Sequence, residues 1–216
     1  MIKVMLVDDH RLIRAGIAKL LEQANGIKVV AQADSGEQAI TLLRDNHSDV
    51  VLMDLKMPGI GGLETTRRLI RMKPDIKIMA VTGCLEGIFA ARMLQAGAAG
   101  YITKDCSEDE LIVAIRKVHV GQRYLSPEIA QKLALQHVTE SESSAIEQLS
   151  ERELQITLMI AHGKKVQEIS TTLHLSTKTV NSYRYRIFAK LNIKSDVELT
   201  HCAIRAGLLD EYEKLD

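Results

Sequence analysis

Val50-Val51-Leu52-Met53-Asp54 is a short apolar run that ends in a carboxylate. Val4-Met5-Leu6-Val7 ends in the same way, in the acidic pair Asp8-Asp9. Runs this short, rich in β-branched residues, mark central strands of a parallel sheet, and ligand sites of such sheets lie beyond the strands' carboxyl ends. Three carboxylates then converge on one edge. Unpaired anions so placed repel one another and raise a pKa unless a hard divalent cation sits among them. The cluster calls for Mg2+.

Two further runs end in residues suited to phosphoryl transfer. Lys77-Ile78-Met79-Ala80-Val81 leads to Thr82, and Gly100-Tyr101-Ile102-Thr103 leads to Lys104. A hydroxyl and an ammonium beside a carboxylate and a magnesium ion bind the oxygens of a phosphoryl group in transit. Asp54 is then a nucleophile that becomes an aspartyl phosphate. Taken singly, a strand-end Thr is an ordinary cap and a strand-end Lys ordinary surface. The weight lies in all five residues in this strand order.

Residues 1–119 resemble a response-regulator receiver domain through VDDH at 7–10, MDLKMPGIGG at 53–62, AVTG at 80–83 and AGAAGYITK at 96–104. The resemblance implies that Asp54 is the phosphoacceptor and that Asp8 and Asp9 bind metal together with the backbone carbonyl of Lys56. It further implies that Thr82 is the switch hydroxyl, Lys104 the phosphoryl-binding lysine, and Tyr101 an aromatic that turns inward on activation, into space vacated by Thr82. Lys56 and Cys84, two residues beyond Asp54 and Thr82, match positions that modulate phosphoryl lifetime in that family.

Between the strands lie segments of helical periodicity, giving a βα unit repeated five times. His10–Gln23 carries Leu12, Ile13, Ile17, Leu20 and Leu21 on one stripe. Ser35-Gly36-Glu37-Gln38 and Ser107-Glu108-Asp109-Glu110 have the form of capping boxes opening the second and fifth helices. The expected fold is α/β: five parallel strands in a flavodoxin-like order with helices on both faces, followed by a smaller all-α domain. The glycines of Pro58-Gly59 and Gly61-Gly62 admit two readings, a tight turn or close backbone approach to the phosphorylated edge.

With 216 residues, 46% apolar residues and a formal net charge of zero, the chain has room for one full domain and a second smaller one. No basic region precedes a long apolar run, and nowhere do about 18 uninterrupted apolar residues occur, so a soluble cytoplasmic protein is expected. Cys84, Cys106 and Cys202 are odd in number and lack His at metal-ligand spacing, which excludes a disulfide framework or a zinc site.

Charge locates the second domain. Residues 120–148 read as a linker, polar and aperiodic around Thr139–Ser144, with one short helix near 127–136 that Ser126 caps and Pro127 opens. From Ser150 to Leu209 nine Lys or Arg face five Asp or Glu, and within Lys164–Lys194 the ratio is seven to one. The neutral total hides a basic module suited to phosphates. Ser150-Glu151-Arg152-Glu153 caps a helix that Gly163 stops, Val166–Leu173 forms a second, and Ser176 caps a third running to about Leu191. The last two, joined by a three-residue turn, make a helix-turn-helix.

On the third helix Val180, Ile187 and Leu191 face inward, while Lys178, Asn181, Ser182 and Tyr185 share the opposite face beside Thr179. Arg184, Arg186 and Lys190 flank that row, and the helix carries no carboxylate. Polar base-reading side chains flanked by cations suit the major groove of double-stranded DNA. Asn181, Ser182 and Tyr185 are expected to touch base edges, and Arg186 and Lys190 to meet phosphates; the alternative for Tyr185 is packing across the domain surface.

LSERELQ at 149–155 and LSTKTVNSYRYRIFAKLNI at 175–193 resemble the LuxR-type helix-turn-helix, so residues 149–216 complete a chain similar to the NarL/FixJ family of response regulators. Tyr183 stands where most of that family has His. TVNSYRYR, GQRYLSPEIAQKLAL at 121–135 and DVELTHCAIRAGLL at 196–209 are similar to the GacA/UvrY/LetA group. That resemblance implies a hybrid sensor histidine kinase of the BarA/GacS type as phosphodonor, a homodimer on DNA paired through Val197–Ala206, and activation of small regulatory RNA genes. An aspartate-based phosphohydrolase would need an acid two residues after Asp54, where Lys56 stands. A receiver acting through protein contacts alone would not need a recognition helix free of carboxylates.

Overall fold

The computed structural model describes residues 1–83, 87–138, 146, 148–206 and 208–209. The chain divides into two compact units, Met1–Ala134 and Leu135–Asp216. Cys84 and the polar stretch 139–144 fall outside the described residues.

The first unit alternates β1 (Ile2–Val7), α1 (Arg11–Gln23), β2 (Ile27–Ala33), α2 (Gly36–Asp45), β3 (Val50–Met53), α3 (Gly61–Met72), β4 (Lys77–Thr82), α4 (Gly87–Gln95), β5 (Gly100–Thr103) and α5 (Glu108–His119). With a further strand, β6 (Tyr124–Leu125), all strand pairs are parallel, in the order β2-β1-β3-β4-β5-β6. β3 and β5 are buried at every residue, as a sheet covered on both faces requires. On one face Val4, Leu6, Val50, Leu52, Met79, Val81 and Ile102 pack with Ala18 and Leu21 of α1 and Leu111, Ala114, Ile115 and Val118 of α5. Full burial of each large aliphatic side chain stabilises the fold by about 1.5–3 kcal/mol.

The sheet has six strands, not the five expected. β6 (Tyr124–Leu125) lies in the segment read as linker and pairs parallel with β5, Gly100 opposite Tyr124 and Tyr101 opposite Leu125. Two residues are too short for a period-2 pattern to show in sequence. α6 (Pro127–Val138) follows, with Ile129 fully buried.

The α1 stripe also needs correction. Ala18 and Leu21 carry the buried face, while Leu12 is 86% and Ile13 37% exposed. Ile17 and Leu20 pack partly buried against the core, so the stripe holds from Ile17 onward and fails in the first turn, since helical spacing aligns residues without fixing how far along the helix the core reaches.

The second unit contains α7 (Glu151–Ala161), α8 (Val166–Thr172), α9 (Thr177–Leu191) and α10 (Asp196–Arg205). Its capping signals form as drawn from sequence at Ser150, whose hydroxyl accepts from Glu153 N while Glu153 Oε2 accepts from Ser150 N. At Ser35 and Ser107 the hydroxyl caps its helix, but the reciprocal side chain bonds elsewhere: Gln38 accepts from Asp34 N, and Glu110 from the Tyr124 hydroxyl. Gly163, at φ +76°, follows the end of α7. His174 and Asn192, both left-handed, turn the chain after α8 and end α9. α7 packs against α9 and α10.

Candidate functional site

The carboxyl ends of β1, β3, β4 and β5 build a polar edge on the first unit. Main-chain bonds extend the ladder beyond the strands, from Asp54 N to Val7 O at 2.8 Å and from Lys104 N to Thr82 O at 3.0 Å. They fix Asp8, Asp54, Thr82 and Lys104 side by side. Lys104 Nζ lies 2.7 Å from both Asp8 Oδ2 and Asp54 Oδ2. Asp8 Oδ1 accepts from His10 N at 2.7 Å, and Asp54 Oδ1 accepts from Lys56 N at 3.3 Å. Asp54 and Asp8 are buried, and Thr82 is fully so.

Burial pushes the Asp54 carboxyl above the usual carboxylate range, and the repulsion of Asp8 adds to it, although Lys104 and Lys56 N act in the opposite sense. Burial also works against the charge on Lys104, but its bonds to Asp54 and Asp8 outweigh that and hold its pKa above the ordinary lysine value.

Asp9 is placed differently. Its Oδ1 is buried without a hydrogen-bond partner; His10 Nδ1 approaches to 2.9 Å, but not along a hydrogen-bond direction. Ligand atoms of Asp8, Asp9, His10 and Asp54 lie within 4.8 Å of one another. An orphaned carboxylate oxygen beside two more carboxylates fits a hard, oxygen-seeking cation, and among the described residues no other cluster of this kind occurs.

A tight turn and a close backbone approach both occur among the glycines after Asp54, at different positions. Gly59, at φ +76°, makes a turn. Gly62 is a close approach, since a Cβ there would lie 2.2 Å from Asp54 O. One residue of this loop's support is absent from the sequence reading. Glu37 Oε1 accepts from Ile60 N at 3.2 Å, and its carboxylate lies against Gly59, so α2 holds the loop that follows Asp54. The capping-box pattern at Ser35 disguised that role.

Tyr101 is fully buried. The sequence resemblance has this aromatic turning inward upon activation, into room left by Thr82; here it is already inside while Thr82 is buried too.

In the second unit α9 carries the candidate nucleic-acid interface. Val180 and Ile187 are fully buried and face the unit's core, and Leu191 is half-buried. Lys178 and Arg186 are exposed, Asn181 and Ser182 half-buried, and Tyr185 is 74% exposed, which removes the alternative that it packs across the surface. Thr179 hydrogen-bonds Ser176, partly as helix cap. The Arg186 guanidinium rests over the Tyr183 ring at 5.2 Å.

Two of the flanking cations are engaged inside the unit. Arg184 makes paired bonds to Asp196 at 2.7 and 2.5 Å and stacks on Phe188, which ties α9 to α10. Lys190 Nζ lies 2.6 Å from Glu153 Oε2, the carboxylate that closes the α7 capping box, and 3.3 Å from Gln148 O. Lys190 thus braces α9 against α7 in this structure, an engagement that the spacing of a flanking cation does not show. The physical reason is that Glu153 is almost fully buried and its charge needs a cation.

One chain thus joins an acidic sheet-edge site to a helix-turn-helix. Residues 4–116 match the response regulator receiver domain, and residues 147–203 match the bacterial regulatory proteins, luxR family. The chain belongs to the two-component response regulators that bind DNA through a LuxR-type domain. It is 57% identical over 211 residues to the response regulator GacA of Pseudomonas aeruginosa, covering 97% of this chain and 99% of that protein. Identity to the response regulator UvrY of Escherichia coli K12 is 56% over 209 residues, 96% of each. The RcsB response regulator of Salmonella typhimurium aligns at 25% identity with a TM-score of 0.58, over 93% of this chain and 96% of that one. A structure of RcsB dimers on DNA aligns at 25% with a TM-score of 0.59, over 94% and 98%. Such regulators act on transcription rather than as enzymes. No helix among the described residues is long and apolar enough to cross a membrane.

Proposed function

We propose that Asp54 is the phosphoacceptor of a switch that controls the DNA binding of α9. The single observation that carries this reading is the buried Asp54 carboxylate held 2.7 Å from Lys104, with Asp8 and the orphaned Asp9 oxygen beside it. Asp8, Asp9, Asp54 and the backbone carbonyl of Lys56 would hold Mg2+, which would supply neutralisation of charge on the phosphoryl oxygens. An Asp54 oxygen attacks the phosphorus of a phosphohistidine, the P–N bond breaks, and the imidazole keeps the electron pair. Lys104 then follows the new phosphoryl oxygens, which releases Asp8 from its pairing, and the Thr82 hydroxyl donates to one of them. Tyr101 holds the buried position that accompanies this state.

The receiver spans 1–119 with β6 and the start of α6 appended, 120–148 connect it onward, and 149–216 bind DNA. Lys178 and Arg186 meet phosphates, Asn181, Ser182 and Tyr185 touch base edges, and Thr179 supports them from the first turn; Arg184 serves mainly to place α10. α10 pairs two copies on a partly palindromic site, a reading supported by RcsB, solved as dimers on DNA. The likeness to GacA and UvrY supports a BarA/GacS-type hybrid kinase as phosphodonor, small regulatory RNA genes as targets, and work in the cytoplasm. The test is mapping of the acid-stable, base-labile acyl phosphate after incubation with acetyl phosphate and Mg2+, by borohydride trapping and mass spectrometry. Label on Asp54 supports the reading; label elsewhere overturns it.

A further inference from the structure

β6 is the least expected element of the first unit, and it sits beside the switch aromatic. Gly121, at φ +85°, turns the chain after α5, and the next residues run back along β5. Tyr124 N donates to Ala99 O and Ser126 N to Tyr101 O, both at 3.1 Å. The approach is close, since a Cβ on Gly100 would lie 3.0 Å from Tyr124 O.

The two residues of β6 point to opposite faces of the sheet. Tyr124 packs against the cluster shared with α5, its hydroxyl donates to Glu110 Oε1 at 3.1 Å, and Lys117 Nζ stands 5.3 Å from its ring centroid. Leu125 is the in-register partner of Tyr101, so its side chain emerges on the same face as the Tyr101 ring, one strand over. Ile129, in the first turn of α6, is fully buried. A two-residue strand has little stability of its own, so its docking depends on these few contacts.

We propose that β6 is a latch for Tyr101: Tyr124 fastens the strand to α5, and Leu125 keeps the Tyr101 ring in its buried position. Tyr124 and Leu125 are thus positioning residues that act through Tyr101. The inference rests on the reading of Tyr101 as switch aromatic given above. Phosphorylation and latch closure favour the same buried ring, so each strengthens the other by the same factor. The segment leading to the DNA-binding domain therefore leaves the receiver through an element that registers the state of the switch.

The experiment uses the full chain labelled with 3-fluorotyrosine, the Tyr101 fluorine resonance being assigned with Tyr101→Phe, together with amide hydrogen exchange. In the unmodified wild type the Tyr101 signal is buried and insensitive to exchange of H2O for D2O. Leu125→Ala is expected to add a solvent-exposed Tyr101 signal and to speed exchange of the Tyr124 and Ser126 amides. Tyr124→Phe, which removes one hydroxyl and is mild enough to leave the fold intact, should speed those amides about fivefold, the equivalent of one net hydrogen bond. Beryllium fluoride with Mg2+ should return the exposed Tyr101 signal of Leu125→Ala to the buried one. A Leu125→Ala chain whose Tyr101 signal stays wholly buried, or a Tyr124→Phe chain with unchanged amide exchange, overturns the latch. If Leu125→Ala exposes the ring but beryllium fluoride alters no signal in any chain, the latch stands and the Asp54 reading fails.

Discussion

Lys190→Ala separates the brace between α9 and α7 from a phosphate contact on DNA. The Glu153 side chain is only 4% exposed, whereas that of Lys190 is 39% exposed. Loss of one partner of a fully buried pair costs about 3–5 kcal/mol, because an uncompensated charge remains. Here Glu153 keeps the Ser150 amide as donor, and water can enter where Lys190 was. Discounted for that exposure, the cost is about 1–2 kcal/mol. For a domain of this size it lowers the midpoint of thermal unfolding by about 5–15 °C. Burial opposes the charge on Glu153, yet the Lys190 bond and the Ser150 amide hold its pKa below the usual carboxylate value. A depressed folded pKa adds stability above the unfolded carboxylate pKa and loses it as pH falls through the folded one. Without Lys190 that loss begins at higher pH. Differential scanning calorimetry of the full chain from pH 7 down to pH 3 reads both effects on the transition of the DNA-binding unit. At a temperature where both proteins are folded, the dependence of DNA affinity on salt should be unchanged. A variant that melts like wild type but loses about one unit of salt slope would refute the brace and restore Lys190 as a phosphate contact.

Arg186→Ala should lower the salt slope by roughly one unit and weaken specific and scrambled duplexes alike, whereas Asn181→Ala should cost about 1–3 kcal/mol on the specific site and little on random DNA; titrations of both duplexes at fixed salt compare them, and equal losses for Asn181→Ala would make α9 a phosphate clamp. Asp9→Ala should weaken Mg2+ binding and slow phosphorylation without unfolding the domain, since it removes repulsion along with a ligand; a magnesium titration matching wild type would leave Asp9 without a metal role. Glu37→Ala should also weaken Mg2+ affinity by loosening the loop that carries the Lys56 carbonyl, and Glu37→Gln, which keeps an acceptor for Ile60 N, should restore most of it; equal loss in both points to charge instead. Because burial raises the Asp54 pKa, the unfolded chain releases that proton at lower pH, so the charged form costs stability above the folded pKa and the cost lifts as pH falls through it. Asp54→Asn should therefore raise the receiver's melting temperature at pH 7, and calorimetry showing a drop would contradict that sign.

The sites that sequence revealed are those where one strand end carries one side chain. Asp8, Asp54, Thr82 and Lys104 follow apolar runs whose burial fixes register, so their convergence could be read before any coordinates. Three kinds of feature escaped. β6 is too short for periodicity, and its pairing with β5 is set by Gly100 and by Tyr124 meeting Glu110 and Lys117, contacts between segments far apart in pattern. A helical stripe records spacing alone and does not encode the exposure of Leu12 and Ile13. Lys190 has the spacing of a flanking cation, and only the fold shows the buried Glu153 opposite it. The recognition helix itself ran as expected from the Ser176 cap, but its left-handed stop at Asn192 has no periodic signal.

Phosphate-dependent DNA binding of the full chain, measured beside that of Asp54→Asn, tests the central claim most directly. Both proteins are incubated with acetyl phosphate and Mg2+, and binding to one duplex recovered by selection with the phosphorylated protein is titrated at fixed salt. The predicted result is one base-labile phosphate per wild-type chain with a change in affinity on labelling, and neither in Asp54→Asn. Labelling of Asp54→Asn, or an affinity change equal in both proteins, would contradict the account.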